Sequence, residues 1–224
     1  MTRRSCWAIL VAAGRGERLG EDRPKAFVRL GDLPLLAEPL RRLDESAWVE
    51  AVVLVAPPDW EEPAILLAEE LGASKVTACV TGGETRTASV RAGVAEVPGE
   101  VPVILVHDAA RPLVDDAVIG RVIEALGDGF DGAVPGLPVP DTVKRVRDDA
   151  VHETLARDEL VAVQTPQCFE AAALRAALTG AEGPDCASLV EANGGRIRVV
   201  AGDERLLKVT TRADLERVAA WLSP

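Results

Sequence analysis

The sequence contains no tyrosine, three phenylalanines and two histidines among its 224 residues. The shortage of aromatic side chains makes stacking platforms for single-stranded nucleic acid scarce. His107 and His152 are too few for a histidine-rich metal site. The formal net charge of −11 argues against nucleic-acid binding through a broad basic face. We therefore expect no nucleic-acid partner.

The four cysteines are scattered and form no C-x-x-C pair, which is typical of buried thiols in a reducing compartment rather than a disulfide framework or a metal site. No apolar run approaches the roughly 18 residues of a membrane span. The N-terminus lacks a signal-peptide cleavage pattern. We therefore expect a cytoplasmic protein with no membrane partner.

Short apolar runs alternate with segments of helical spacing along most of the chain. The runs at 7–11, 49–55, 75–80 and 101–106 predict strands, and the segments at 34–43, 61–71, 84–97 and 115–126 predict helices. Towards the end, helices are expected near 170–178, 185–193 and 211–222, with a strand at 196–200. This order predicts an α/β fold: a Rossmann-like open, mostly parallel sheet with helices on both faces.

The alternation breaks from Gly132 to about Gln164, where prolines and a glycine precede a hairpin-like segment. We expect a single domain over residues 1–224, with a β-rich arm inserted at about 136–160. A polar arm with little core of its own often packs on a second subunit. We therefore expect a dimerisation arm.

A loop of small and basic residues follows the first predicted strand. Glycines allow the backbone to approach a ligand, and Arg15, Arg18, Arg23 and Lys25 add positive charge in a chain that is otherwise acidic. Such a loop suits a polyphosphate, although an ordinary βα turn with solvated basic residues is the simpler alternative. Its spacing fits neither the dinucleotide fingerprint, because Gly20 comes one residue late, nor the P-loop, which needs Gly-Lys-Ser/Thr.

Three further polar sites follow predicted strands, where open α/β sheets bind ligands. The Gly82-Gly83 pair could pass close to a flat base, although a helix cap made by Thr85 or Ser89 would also explain it. Asp108 is placed to bind Mg²⁺, or to cap the next turn and pair with Arg111. Lys208 ends a predicted short strand near the last helix. Since no serine or cysteine nucleophile has a paired histidine, the pattern favours phosphoryl or nucleotidyl transfer through positioning and charge.

Six motifs occur in an order and spacing that identify a family: AAGRGERLGEDRPK, GGETRTASV, HDAARP, DTVKR, TPQ and LKVTT. Over essentially its whole length the chain resembles the 2-C-methyl-D-erythritol 4-phosphate cytidylyltransferases of the non-mevalonate isoprenoid pathway. The resemblance implies that methylerythritol phosphate attacks the α-phosphorus of CTP and releases pyrophosphate. It also implies Mg²⁺ or another divalent cation, and a homodimer joined through its arms.

The resemblance assigns roles by motif. Catalytic residues would be Arg18, Lys25 and Lys208, while Asp108 would bind the metal. The nucleotide would contact Ala12, Ala13, Gly14, Gly16, Gly83, Glu84 and Ser89. The acceptor would contact Arg111 and Thr142, and Arg157 and Thr165 would reach an acceptor bound to the partner subunit. The chain departs from the family at 184–188, where Pro-Asp-Cys-Ala-Ser replaces the common Thr-Asp-Glu/Asp-Ala-Ser.

Two alternatives remain at this point. A cytidylyltransferase for another polyol phosphate, such as ribitol 5-phosphate, would share most of the CTP loop and differ in its acceptor pocket. A nucleotide-binding module without catalysis would not need Lys25, Asp108 and Lys208 together, because binding alone requires fewer charges around one phosphorus.

Overall fold

The computed structural model describes residues 4–14, 16, 20, 22–180 and 182–222. Its main sheet contains eight strands, named here with the other strands in chain order. They are β1 (Cys6–Val11), β4 (Ala51–Ala56), β5 (Val76–Thr81), β6 (Val103–Asp108), β7 (Gly132–Pro138), β10 (Val161–Val163), β11 (Gln167–Glu170) and β12 (Ile197–Ala201). Two small hairpins stand apart from it: β2 (Arg29–Leu30) with β3 (Leu33–Pro34), and β8 (Lys144–Arg147) with β9 (Ala150–Thr154).

The sheet is mixed, with a parallel half that carries the first four predicted strands. β1 lies between β4 and β6, and β5 pairs with β4, all in parallel register. Next to β6 the direction reverses, because β11 and β10 run antiparallel to their neighbours, while β12 pairs in parallel with β7. β4 and β6 are buried along their whole length, which explains their continuous apolar sequences.

Seven α-helices are present in the described part of the chain. They are α1 (Ala37–Glu45), α2 (Glu61–Glu70), α3 (Arg86–Ala95), α4 (Asp116–Glu124), α5 (Ala171–Ala177), α6 (Cys186–Ala192) and α7 (Arg212–Leu222). One core lies between the sheet and α1, α2 and α4, and a second lies between the opposite face and α3, α5 and α6. The expected α/β sheet with helices on both faces is therefore confirmed. No helix among the described residues is long and apolar enough to span a membrane.

The sequence prediction of the region after Gly132 needs correction. Residues 132–138 form a strand of the main sheet, whose first five residues are buried, rather than the start of an arm. Glycine is required at position 132, because a Cβ there would lie 2.5 Å from the Phe169 ring. Between β7 and β10, the β8–β9 hairpin and its flanks leave the main sheet, and every residue of both hairpin strands is exposed.

A second correction concerns Lys208, which does not end a strand. A 3₁₀ turn at Glu204–Leu206 precedes it, and residues 207–210 form an irregular connection. A single backbone bond from Val209 N to Ala110 O (2.8 Å) attaches this connection to the loop after β6. Thr211 caps the last helix, because its hydroxyl accepts from Asp214 N (3.2 Å) and Asp214 Oδ2 accepts from Thr211 N (2.8 Å).

Candidate active site

A cavity of about 980 Å³ opens at the carboxyl ends of β1, β4, β5 and β6. Ligands of open α/β sheets bind at this edge. Four separate segments that the sequence marks as polar sites are brought to one place by the fold. The lining includes residues 11–14, 24–26, 57–60, 82–86, 89 and 108–110, together with Lys208.

The loop after β1 is held against the base of the cavity. Ala12 N donates to Val55 O (2.8 Å), and Ala12, Ala13 and Gly14 line the cavity wall. Gly16 has a φ of +72°, and a Cβ there would lie 2.5 Å from the Lys25 Cβ. Glycine at this position therefore lets the loop fold back onto Lys25. Arg18 lies outside the described residues, so its catalytic role stays a prediction.

Lys25 begins a 3₁₀ turn, Lys25–Phe27, at the cavity wall. Its Nζ donates to Val209 O at 3.3 Å, one residue from Lys208. The adjacent Phe27 is buried and packs on Trp60, with ring centroids 4.5 Å apart. Two lysines from opposite ends of the sequence thus line the same cavity.

The glycine loop after β5 packs tightly against the loop after β1. A Cβ on Gly82 would lie 2.2 Å from the Ala13 Cβ, so only glycine fits. Thr85 caps α3 by accepting from Ala88 N (3.0 Å), and Ser89 donates to Thr85 O (2.9 Å) and accepts from Gly83 N (3.1 Å). The two alternatives for this segment, a helix cap and a surface for a ligand, are therefore compatible. The Ser89 hydroxyl shapes the loop in which Gly83 and Glu84 line the cavity.

Asp108 ends β6 at the floor of the cavity, and two cations hold it. Arg86 Nε donates to Oδ1 (3.0 Å), and Lys208 Nζ donates to Oδ2 (2.7 Å). Burial alone would raise the pKa of Asp108, but Arg86 and then Lys208 lower it well below its usual range. The predicted alternative, an Asp108–Arg111 ion pair, is wrong: the Arg111 guanidinium donates to Leu206 O instead.

A smaller cavity of about 270 Å³ lies on the other side of Asp108. Arg111 and Thr165 line it, together with Gln167 and Asp185. Asp185 caps α6 through Ser188 N (2.8 Å) and accepts from Gln167 Nε2 (2.8 Å), so both of its oxygens are engaged. Burial lowers the pKa of Arg111.

Thr165 is 4% exposed, and its hydroxyl is used within the protein. His107 Nε2 lies 2.9 Å from Arg111 O, a carbonyl that can only accept, so Nε2 carries the proton. Nδ1 then accepts from the Thr165 hydroxyl (3.2 Å), which in turn accepts from Asp108 N (3.1 Å). Burial lowers the pKa of His107 to about 4, which keeps the ring neutral and this chain of bonds intact.

Thr142 and Arg157 are not brought to either cavity. Both are exposed, Thr142 just before β8 and Arg157 in a 3₁₀ turn after β9, and Arg157 Nη1 donates to Pro140 O. The predicted contact of Thr142 with the acceptor, and that of Arg157 with an acceptor on a partner subunit, therefore stay predictions.

The sequence reasoning missed Arg86 and Trp60. Arg86 stands within the GGETRTASV motif and occupies the first turn of α3, where the helix dipole disfavours a cation. That unfavourable placement was the signal available in the sequence. Trp60 carried no comparable signal, because it reaches the cavity only through the packing of the loop after β4.

One carboxylate, Asp108, faces both cavities, and the described residues contain no cluster of three or more potential metal ligands. Mg²⁺ commonly takes one or two carboxylates and completes its shell with phosphate oxygens and water. A carboxylate has about four lone-pair positions, so Asp108 retains acceptor capacity beside Arg86 and Lys208. The donor set therefore fits Mg²⁺ bound together with a polyphosphate.

Comparison with known proteins identifies the family. Residues 6–223 match the family model described as IspD, 2-C-methyl-D-erythritol 4-phosphate cytidylyltransferase. The chain belongs to this family. A protein of that name from Nocardia farcinica is 45% identical over 212 residues, which cover 93% of this chain and 90% of the relative. The crystal structure of the protein of that name from Thermus thermophilus has a TM-score of 0.77 and 33% identity, covering 96% and 97% of the two chains.

A bifunctional IspD/IspF enzyme from Clavibacter michiganensis is 47% identical over 216 residues. The match covers 93% of this chain but spans only 52% of that longer enzyme. The family assignment makes the chain a cytidylyltransferase that joins CTP and methylerythritol phosphate to give 4-diphosphocytidyl-2-C-methyl-D-erythritol and pyrophosphate. It decides against the ribitol phosphate alternative and the non-catalytic module.

Proposed function

We propose that the transfer takes place above Asp108, between Lys25 and Lys208. The observation that carries this proposal is that both lysines line the larger cavity. Lys25 Nζ donates to the carbonyl of Val209, the residue after Lys208, at 3.3 Å. An acceptor phosphate oxygen forms a bond to the α-phosphorus, and the bond from that phosphorus to the pyrophosphate oxygen breaks. Since both reactants are anions, cations on both sides of the phosphorus lower the barrier.

The larger cavity holds CTP in this proposal. Backbone groups of Ala12, Ala13, Gly14 and Gly16 contact the triphosphate, and Arg18 adds charge from the same loop. Gly83, Glu84 and Ser89 form the wall for cytosine and ribose. The tight packing of Gly82 on Ala13 supports this, because it leaves a backbone surface against which a flat ring can lie.

Asp108 would hold Mg²⁺, and the ion would neutralise the triphosphate and orient it for attack. The protein's part is to keep this carboxylate ionised, which Arg86 and Lys208 achieve in the free enzyme. Lys208 then contacts the α-phosphate and the acceptor phosphate.

The acceptor occupies the smaller cavity, next to Arg111 and Thr165. Arg111 Nε is buried and has no hydrogen-bond partner among the described residues, so this donor remains available near the cavity. Thr165 acts mainly by fixing Asp108, since its hydroxyl already bonds the Asp108 N–H and His107.

A simple assay tests the assignment of the acceptor. Pyrophosphate release from CTP should occur with methylerythritol phosphate and be much slower with ribitol 5-phosphate at equal concentration. Equal rates with both acceptors would contradict the proposed fit of the smaller cavity.

We also propose that the chain is one domain whose arm, residues 139–160, completes the site of a second copy. Val146 and Val151 on the hairpin are 57% and 61% exposed. Val161 of β10 and Val199 of β12, 41% and 51% exposed, pack on either side of Gly136 in the main sheet. This exposed apolar surface adjoins the hairpin, which supports a homodimer held by the arms. Thr142 and Arg157 would then reach the partner's acceptor.

Mixed dimers test the shared site. Lys25→Ala and Arg157→Ala subunits should each be inactive alone and should restore activity when co-expressed, because one hybrid site contains both intact residues. Sedimentation must show a dimer for the test to apply. A monomer, or a verified heterodimer without activity, would contradict the proposal.

We also propose that the enzyme acts in the cytoplasm. Its four cysteines are unpaired, and three of them are buried, as expected in a reducing compartment. Cell fractionation with an antibody to the chain would check this.

A further inference from the structure

Three residues line both cavities among those the structure describes: Arg86, Asp108 and Lys208. Asp108 and Lys208 have roles in the transfer proposed above. Arg86 has so far only the role of keeping Asp108 ionised, and it binds the carboxylate oxygen that Lys208 leaves free.

Helix stability does not explain the placement of Arg86. It is the first residue of α3, directly after the Thr85 cap, where the positive end of the helix dipole repels a guanidinium. Its side chain is 22% exposed, and Nη1 donates to the Cys186 thiol at 3.5 Å. Burial raises the pKa of that thiol, so Cys186 is neutral and leaves Asp108 as the anionic partner that Arg86 contacts.

The contact between Arg86 and Asp108 uses one oxygen only. Nε lies 3.0 Å and Nη2 2.9 Å from Oδ1, and only the Nε–H is directed at that oxygen. Oδ2 is therefore left to Lys208, whose Nζ lies 2.7 Å away. Lys208 is the more exposed of the two partners of Asp108, because its side chain is 40% exposed against 22% for that of Arg86.

We propose that Arg86 is a positioning residue that neutralises Asp108, so that Lys208 can leave the carboxylate and move onto the phosphates. This inference rests on the role proposed above for Lys208. With Arg86 present, departure of Lys208 leaves Asp108 in an ion pair with Arg86 at the floor of the larger cavity, with no net charge. In the free enzyme, before any metal binds, Arg86 and Lys208 are the two cations that the described residues place on Asp108. Without Arg86, departure of Lys208 at that stage would leave a buried carboxylate without a counter-charge, which is strongly unfavourable. Lys208 would then remain bound to Asp108.

The first test uses the free enzyme and needs no substrate, so its failure is distinguishable from a failure of the proposed transfer. The chain contains four lysines: Lys25, Lys75, Lys144 and Lys208. In Arg86→Met, reductive methylation of Lys208 should be about two- to fivefold slower than in the unchanged enzyme. This fold-change corresponds to the strengthening expected of a partly exposed ion pair. Lys75, which lines neither cavity, is the internal reference, and mass spectrometry gives each rate.

The direction of the change separates positioning from a structural role. A loosened fold would expose Lys208 and speed its labelling, whereas tighter binding to Asp108 slows it. Arg86→Gln provides a second neutral variant if Arg86→Met does not fold, and Arg86→Lys should restore the original rate. Unchanged or faster labelling of Lys208 in the folded neutral variant would overturn the proposal.

The second test is a kinetic double-mutant cycle. Arg86→Met should lower kcat/KM for methylerythritol phosphate by about 10- to 100-fold, with little change in the KM for CTP. In a Lys208→Met background the same change should cost less than about threefold, because Arg86 acts through Lys208. Equal losses in both backgrounds would show that Arg86 acts independently and would overturn the proposal.

Arg91→Met is the matched control. Arg91 lies on the same helix, lines neither cavity and donates from Nε to Leu178 O at 2.9 Å. Its replacement should leave both the labelling of Lys208 and the kinetics within about twofold of the unchanged enzyme.

Discussion

Lys25 and Val209 are 184 residues apart in sequence and are joined by a hydrogen bond of 3.3 Å from the Lys25 ammonium to the Val209 carbonyl. Because Lys208 precedes Val209, this bond places the two ends of the chain on the same cavity. The second attachment of the segment, from Val209 N to Ala110 O, ties it to the loop that begins with Asp108.

Lys25→Ala should lower kcat by about 100- to 1000-fold, because it removes a preorganised charge from the reacting phosphates. The measurement is steady-state pyrophosphate release at saturating CTP. Lys75→Ala is the control, since Lys75 bonds Ser46 O (2.6 Å) and lines neither cavity. Turnover near that of the unchanged enzyme in Lys25→Ala would remove this lysine from catalysis.

Gly82→Ala should raise the KM for CTP by about tenfold and destabilise the fold by about 1–3 kcal/mol, because the new methyl group overlaps Ala13. Adding Ala13→Gly should recover part of both losses, since it removes the methyl group that would lie 2.2 Å from the new one. Gly99→Ala, with no atom within 4 Å of its Cβ position, is the control. A double variant no better than the single one would contradict this packing.

Thr165→Val should lower the free energy of unfolding by about 1–3 kcal/mol, because it leaves His107 Nδ1 and Asp108 N without their buried partner. Thr165→Ser retains the hydroxyl and should lose less. Urea denaturation measures both. If the valine variant proved as stable as the serine variant, the hydroxyl would have no part in holding Asp108.

Asp214 should make the connection that carries Lys208 sensitive to acid. Burial alone would raise the pKa of Asp214, but hydrogen bonds from the Thr210 hydroxyl and from the N–H groups of Thr210 and Thr211 lower it to about 2. A carboxylate whose pKa is lowered on folding contributes stability above its unfolded pKa, near 3.8, and loses that contribution as the pH falls towards 2.

The comparison to make is therefore between the unchanged enzyme and Asp214→Asn. The difference in unfolding free energy between them should be full at pH 5–7 and should shrink between about pH 4 and pH 2. Glu216→Gln, on the exposed side of the same helix, serves as the control, because exposed ion pairs contribute little. A constant difference across this range would show that the cap bonds do not depend on the charge of Asp214.

Much of the fold and part of the site could be predicted from the sequence, because these depend on short stretches of chain. The period of the apolar residues determines each strand and helix locally, and the bounds of β1, β4, β5 and β6 lie within two residues of the predicted ones. The position of Asp108 directly after a buried apolar run likewise places it at the ligand-binding edge of the sheet.

By itself, then, the sequence determined the alternation of strands and helices, the small-residue loops, and the charged residues that follow the strands. The tertiary structure alone decided that Arg86 and Lys208 share Asp108, that the Thr165 hydroxyl is engaged by His107 and Asp108, and that Thr142 and Arg157 lie away from both cavities. The physical reason is distance along the chain. Arg86 and Lys208 reach Asp108 from 22 and 100 residues away, and only the packing of the loops at the sheet edge selects such partners from several equally charged side chains.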